Sequence, residues 1–352
     1  MTEAGRSLED IAFLTAVLEA LPKPVIVVGA GDRVLAANRR ARALVPALRN
    51  GDLLAIVLRA PDILDAVARA RASGLAETVI WRERVPVERV FEVHVAPLSP
   101  IVGAPTLVLA LDDLTEARSV ERMRADFVAN ASHELRTPLA SLLGFIETLQ
   151  GPAREDPKSR DRFLVIMREQ AQRMSRLIDD LLSLSRIEQN LHVRPESSVD
   201  LVSVVEHVVD TLGPLAREHG VEFAVDAPEQ AIVAGDRDEL IRVVENLIEN
   251  AIKYGAAQGA DNRPIAVRVA IEDGAARLAI RDFGPGIAPE HLPRLTERFY
   301  RVDAGLSRAK GGTGLGLAIV KHIVARHRGR LLIDSRVGEG AAFSVLLPLF
   351  IS

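Results

Sequence analysis

The chain has no cysteine in its 352 residues. Disulfides, thiolate nucleophiles, cysteine-ligated zinc and iron–sulfur clusters are thereby excluded, and the absence fits a reducing cytoplasm. A basic excess is also lacking: 44 Lys and Arg stand against 48 Asp and Glu, a formal net charge of −4. Composition therefore offers no electrostatic basis for direct nucleic-acid binding. No apolar run approaches the ~20 residues that span a bilayer. The most apolar short stretch is Pro24-Val25-Ile26-Val27-Val28-Gly29-Ala30, and Met1 to Arg6 carries neither the basic region nor the apolar segment of a signal peptide. The chain as given is expected to be soluble and cytoplasmic. A Gly-x-x-x-x-Gly-Lys-Ser/Thr phosphate loop is missing, and the histidines show no metal-ligand spacing, His322 and His327 being five apart on a helical pattern. The remainder, 48% hydrophobic and 26% charged residues, is ordinary globular material. Its length calls for two or three domains.

Leu8, Ile11, Leu14, Val17, Leu18 and Leu21 follow helical spacing until Pro22 stops the helix. The pattern then changes to short strands. Val25-Val28 and Val34-Ala36 flank the turn Gly29-Ala30-Gly31-Asp32, Asn38 is placed to cap a following helix, and Thr78-Trp81, Val90-Val95 and Leu107-Leu111 read as three more strands. This stretch resembles a PAS sensory domain, with Asn38-Arg39-Arg40-Ala41 and Asp112-Asp113-Leu114-Thr115 as its marks. A dinucleotide site at Gly29-Ala30-Gly31 is disfavoured because the sixth position of that fingerprint is Val34, where close packing needs glycine or alanine. With no cysteine, a flavin adduct of the light-sensing type is excluded. His94, alone on a strand, reads as a surface or packing residue rather than a haem ligand.

Two long helical patterns begin at Glu116, separated by the breaker-rich Gly151-Pro152-Ala153-Arg154-Glu155-Asp156-Pro157. In the second, Phe163, Met167, Gln170, Met174, Leu177, Leu181 and Leu184 alternate steps of four and three, a heptad seam. Two such helices make half a bundle, so pairing with a second copy as a four-helix homodimer is expected. The alternative is packing of each hairpin on its own chain.

The first pattern contains Ser132-His133-Glu134-Leu135-Arg136-Thr137-Pro138. It sets an imidazole beside a carboxylate and then a proline, whose missing N–H and ring clash cost about 3 kcal/mol in a helix interior. Such a local violation usually marks a functional site. His133-Glu134 is not a zinc-protease motif, since the second histidine is replaced by Thr137. The run resembles the H-box of sensor histidine kinases of two-component systems.

Further motifs follow in order. Asn246, Asn250, Lys253 and Tyr254 share one face of a helix expected from Asp238 to Tyr254, opposite the apolar Leu240, Val244, Leu247 and Ala251. Two carboxamides and an ammonium in one stripe suit a hydrated Mg²⁺ and phosphates. Asp282-Phe283-Gly284-Pro285-Gly286 follows a strand, where a carboxylate can read an amino group and glycines permit close approach to a flat ring. Its likeness to the magnesium motif of eukaryotic protein kinases is coincidental, for the other motifs of that family are missing. Glu297-Arg298-Phe299-Tyr300-Arg301 and Gly311-Gly312-Thr313-Gly314-Leu315-Gly316-Leu317 then bracket a loop rich in basic residues, including Arg308 and Lys310, with Leu315 opening a helix whose N-terminus favours anions. These stretches resemble the N, G1, F and G2 boxes of the histidine-kinase ATPase domain. Pro293 to Asp303, with Thr296 where many relatives have phenylalanine, resembles the lid of the phosphate-regulon sensor kinases.

Accompanying helices at Leu201-His219 and strands at Ala266-Ile271, Arg277-Arg281, Leu331-Ser335 and Ala342-Leu347 give an α+β pattern. The expected architecture is multidomain α+β: an N-terminal helix (1–21), a PAS-like α/β domain (22–114), a dimeric helical hairpin (115–192) and a GHKL-type α/β-sandwich ATPase domain (193–352). The resemblance implies His133 as phosphoacceptor, Glu134 holding its Nδ1 proton, and Thr137 as a phosphatase residue. It implies Mg²⁺ at Asn250 with Asn246 in support, adenine at Asp282, and ATP phosphates at Lys253, Arg298, Arg301, Lys310, Thr313 and the glycines Gly312, Gly314 and Gly316. Partners would be a second copy and the receiver domain of a response regulator, with DNA reached only through that partner; family members often carry a membrane anchor. The rival functions are an ATP-driven clamp, which predicts no phosphoacceptor helix, and a ligand-binding PAS scaffold with a dead kinase half, which predicts damage in at least one box.

Overall fold

A computed structural model of the chain describes residue 13 and residues 15–83, 88–98, 106–255, 263–303 and 312–350. Leu8, Ile11 and Leu14 of the N-terminal pattern, and Arg308, Lys310 and Gly311 of the basic loop, lie outside the described residues. The chain divides into two compact units, Met1–Val128 and Ala129–Ser352.

In the first unit, strands β1 (Val25–Val28), β2 (Val34–Ala37), β3 (Glu77–Glu83), β4 (Arg89–Leu98) and β5 (Thr106–Asp113) form an antiparallel sheet in the order β2-β1-β5-β4-β3. Helices α1 (Arg39–Leu44) and α2 (Pro61–Ser73) lie between β2 and β3 in sequence. All five expected strands are present; α2 was not anticipated. Alternation along the strands sends Ile26, Phe91, Val93, Val95, Leu107, Leu109 and Leu111 into one core with Ile63 and Val67 of α2. Val25, Val27 and Ala36 pack on the opposite face with Leu18. Asn38 joins these parts. Its Oδ1 accepts from Ala41 N (2.9 Å), capping α1, and from Val25 N (3.1 Å), while Nδ2 donates to the carbonyls of Leu18 and Lys23. Every polar capacity of that buried amide is thus used. His94 is exposed and pairs with the Thr78 hydroxyl at 3.1 Å, in keeping with a surface role.

The second unit contains the paired helices, the first of them from Ala129 on, and the α/β portion. Helix α3 (Thr115–Gln150) runs through Pro138 without interruption, and α4 (Pro157–Gln189) begins at the cap Asp156, which accepts from Lys158 N and Ser159 N. The seam residues Leu177 and Leu184 are buried within the single chain, and the Phe163 ring packs at a tilt against Phe145 of α3, 5.1 Å between centroids. At Phe163 the heptad face thus meets α3 of the same chain. A separate set, Leu139, Leu143 and Ile146 on α3 and Leu164, Ile178 and Leu182 on α4, is left exposed.

Beyond the hairpin, β7 (Phe223–Asp226), β9 (Ile265–Glu272), β10 (Ala275–Arg281), β11 (Arg330–Arg336) and β12 (Gly340–Pro348) form a sheet in the order β11-β12-β10-β9-β7, antiparallel except for β7 with β9. A small second sheet pairs β6 (Ser198–Asp200) with β8 (Ile232–Ala234). Sequence reading missed β6, β7 and β8, which at three or four residues show no periodicity of their own. Helices α5 (Leu201–Glu218), α6 (Arg237–Asn250) and α7 (Gly316–Arg326) complete the layer packing, burying Val204, Val205, Leu240, Val244, Leu247, Ile319 and Ile323. Each such side chain contributes about 1.5–3 kcal/mol. The helix expected to continue to Tyr254 is α-helical only to Asn250; Ala251–Gly255 form a π-helical turn. One extra residue per turn leaves no trace in a hydrophobic pattern, and such turns concentrate at functional sites.

Candidate functional site

Helix α6 starts where Asp236 accepts from Asp238 N and Glu239 N, with both acidic residues favourably in the first turn. Its apolar face is buried, and its polar face, continued by the π-turn, presents Asn246, Asn250, Lys253 and Tyr254 to a cavity of about 590 Å³. Asn246 Nδ2 donates to the Arg242 carbonyl at 2.8 Å, which fixes the carboxamide with Oδ1 turned towards α7.

Across the cavity, Asp282 follows β10 directly and is buried, 6% exposed. Its Oδ1 accepts from Gly284 N (3.0 Å) and Ala341 N (3.3 Å). Burial pushes its carboxyl above the usual aspartate range, and those backbone bonds oppose the shift. Gly286 has φ +70, and a Cβ there would lie 1.9 Å from the Arg336 carbonyl oxygen, so no other residue fits.

The third wall is the start of α7. Among the described residues no side chain caps this helix, whose N-terminus favours an anion, and Gly312, Thr313, Gly314 and Gly316 line the cavity beside it. A Cβ on Gly316 would approach Asn246 Oδ1 to 2.3 Å, so α6 and α7 meet there with no space to spare.

Carboxylates of the hairpin reach into this region. Glu134 of α3 accepts from Arg173 of α4 (3.1 Å) and from Arg301 (3.1 and 3.4 Å), all three side chains being largely buried. Asp180 of α4 accepts from Thr313 Oγ1 and from Arg242, each at 2.8 Å, and itself lines the cavity. Glu188 accepts from Arg298 and lies 3.5 Å from His322 Nε2. Burial, seconded by Arg298, holds His322 below the ordinary histidine range against the pull of Glu188.

Residues 123–190 match the His Kinase A (phospho-acceptor) domain, and residues 235–351 match the histidine kinase-, DNA gyrase B- and HSP90-like ATPase family. The phosphate regulon sensor protein PhoR of Pseudomonas aeruginosa is 39% identical over 237 residues, 67% of this chain and 53% of that protein. The sensor-like histidine kinase SenX3 of Mycolicibacterium smegmatis is 37% identical over 68% of this chain and 62% of its own length. The structure of the mycobacterial sensor histidine kinase MprB is 33% identical over 44% of this chain and 97% of that one, with a TM-score of 0.36. The chain belongs to the sensor histidine kinases. It spans about half the length of PhoR and under two thirds of SenX3.

In this chain the expected groups Asn246, Asn250, Lys253, Tyr254, Asp282, Gly286, Arg301, Gly312, Thr313, Gly314 and Gly316 line one cavity. Others take different places. Gly284 packs against the Tyr254 carbonyl, Leu315 is buried, and Arg298 turns to Glu188. His133 and Thr137 are exposed on α3, with Thr137 Oγ1 donating to the His133 carbonyl at 3.2 Å. Lys310 lies outside the described residues. Sequence reading missed Asp180, Arg173, Arg242 and Glu188, which on a helical pattern look like ordinary solvated charges; Asp180 does stand beside the seam position Leu181, the only signal available.

Proposed function

We propose that the protein is an ATP-dependent protein-histidine kinase that phosphorylates His133 and passes the group to an aspartate on a response regulator's receiver domain. One observation carries this reading: Asn250, Asp282 and the uncapped start of α7, from three separate motifs, face a single cavity whose Arg301 also reaches Glu134, the neighbour of His133. The intact boxes argue against a dead kinase half, and the phosphoacceptor helix argues against an ATP-driven clamp. The test is incubation with γ-labelled ATP; label lost in acid and kept in alkali supports histidine, whereas acid-stable label would refute the proposal.

The donor set suits magnesium, being neutral carboxamide oxygens at Asn250 and Asn246 beside room for retained water. Bound Mg²⁺ would neutralise phosphate charge. Asp282 would accept from the adenine amino group, and Lys253, Arg298, Arg301 and Lys310 would stabilise charge on the transferred group. His133 Nε2 would attack the γ-phosphorus, forming an N–P bond as the bond to the departing ADP oxygen breaks, while Glu134 holds the Nδ1 proton. In the arrangement described, Glu134, Asp180 and Glu188 already engage Arg301, Thr313 and Arg298. Triphosphate binding would exchange those partners, and Glu134, released by Arg301 and still held by Arg173, would turn to His133.

The exposed stripe Leu139, Leu143, Ile146, Leu164, Ile178 and Leu182 supports a four-helix homodimer, an apolar face on both hairpin helices being left uncovered in the single chain. We assign residues 22–114 as a PAS-like sensory domain, 115–192 as the phosphotransfer hairpin and 193–352 as the catalytic domain. The lid run Pro293 to Asp303 and the identity with PhoR support a role in phosphate-responsive signalling.

Asp282→Ala is expected to weaken ATP binding by about five- to 150-fold, from about 1–3 kcal/mol for an unpaired buried group, with little change for GTP. Equal weakening of both nucleotides would remove Asp282 from base reading. Thr137→Ala should keep most autophosphorylation yet lose most phosphatase activity towards the phosphorylated regulator, because its hydroxyl oxygen retains lone pairs to orient water while donating to His133. If the bond to the carbonyl is its whole role, both rates change together, and that outcome overturns the phosphatase assignment.

A further inference from the structure

His327, immediately after α7, is wholly buried, and both its ring nitrogens are committed. Nε2 lies 3.0 Å from the backbone nitrogen of Asp236, which can only donate, so Nε2 carries the lone pair. Nδ1, 2.9 Å from the Ile323 carbonyl, then carries the proton. The ring is thus held as one neutral tautomer between two helices. Asp236 is the cap of α6 and is the residue whose side chain receives Asp238 N and Glu239 N. The packing is tight, since a Cβ on Gly235 would come within 3.1 Å of the ring.

The helices so joined are those that carry the phosphate and metal groups. Asp236 and Asn246 are ten residues apart on α6, and Gly316 and His327 are eleven apart on α7. At 1.5 Å per residue these spans are about 15 and 16 Å. The helices run antiparallel, touching at Asn246 and Gly316 beside the cavity and at Asp236 and His327 at the far end. The second contact fixes the register of the first, for sliding or rotation at the far end displaces Asn246 against Gly316 with no space to absorb it. We propose that His327 is a positioning residue for nucleotide binding, its neutral ring locking α6 to α7 so that Asn246 and Asn250 face the start of α7 correctly. The inference rests on the nucleotide-binding reading of the cavity.

The charged groups around the ring are Asp236 and Glu239 from α6, Arg326 from α7 and Arg194 from the segment before β6. Glu239 pairs with Arg326, whose Nε also donates to the Val193 carbonyl, and Glu239 Oε2 stands 3.8 Å from Nδ1. Burial is the main cause that keeps His327 below the usual histidine range. Protonation would set an Nε2–H against the Asp236 N–H and open the lock, so acidification should weaken nucleotide binding through this residue.

The test titrates Mg·ATP into the full chain for wild type, His327→Leu and His327→Gln, with melting curves alongside. Glutamine can offer an acceptor to Asp236 N and does not titrate. At pH 7.5, Leu should weaken ATP binding about tenfold, the order expected for one buried donor left unpaired, and Gln should recover most of it. As the pH falls below the ordinary histidine range, for as long as the melting curves show both proteins folded, the wild type should lose affinity relative to Gln, while any share due to Asp282 is common to both. Equal affinity of Leu and wild type, or no recovery in Gln, overturns the proposal. Should Leu fail to fold, parallel acid profiles of wild type and Gln overturn it. A wild type that binds no ATP would refute the nucleotide reading itself, and the inference with it.

Discussion

His133→Gln is expected to bind ATP as the wild type does and to acquire no label from γ-labelled ATP. Glutamine is close in size and polarity, but its amide nitrogen has no available lone pair to attack phosphorus, so the nucleophile is lost while the helix is kept. Two observations separate chemistry from binding here. His133 is exposed on α3 and is not among the residues lining the cavity. A substitution at so exposed a position should also change stability by no more than about 0.5 kcal/mol. The measurement pairs nucleotide titration with labelling of the same preparation. Label appearing on His133→Gln at the wild-type rate would remove His133 from the reaction.

Much of the cavity was legible because its residues sit in short motifs fixed by local geometry. Asp282 at a strand end, the glycines after it, and the asparagines spaced by four on a helix each announce themselves within a few residues. The contacts that hold the hairpin carboxylates against the cavity were not legible. Glu134 and Arg301 are 167 residues apart, and Asp180 and Thr313 are 133 apart, so no local period joins them. The same holds for His327 and Asp236, 91 residues apart. The heptad seam on α4 was read correctly as a packing face, but a period cannot say whether its partner is α3 of the same chain or a second copy. Phe163 against Phe145 shows one seam residue meeting α3 of the same chain, and the exposed Leu139 stripe is the candidate dimer surface.

The electrostatics of the cavity have one further consequence. Besides the asparagines, it is lined by Glu245, Glu249, Asp179 and Asp180, so it is already rich in carboxylate. Burial, and then the neighbouring Glu249, raise Glu245 above the ordinary glutamate range. A triphosphate entering this space relies on Lys253, Arg301 and the N-terminus of α7 to offset like-charge repulsion. Added negative charge here should therefore be felt strongly.

Asn250→Asp tests that argument with a change of almost no volume. Asn250 is the last residue of α6, where the helix dipole already disfavours an anion, a cost of about 0.3–1 kcal/mol that leaves the fold intact. Towards the substrate the effect is larger. The carboxamide offers metal a neutral oxygen and can offer phosphate an N–H; the carboxylate keeps an oxygen for the metal but loses the donor and repels the phosphates. Phosphoryl transfer relies on positioning and charge stabilisation, so autophosphorylation should fall on the order of a hundredfold or more, the scale seen when a preorganised charge-stabilising donor is lost. The melting transition should move by only a few degrees. Rates are to be compared at saturating ATP over a range of magnesium concentrations, which separates weakened metal binding from a lost contact to the reacting phosphate. Recovery of the full rate at high magnesium would place the defect in metal affinity alone, and a variant as fast as the wild type throughout would show that Asn250 lies outside the metal and phosphate site.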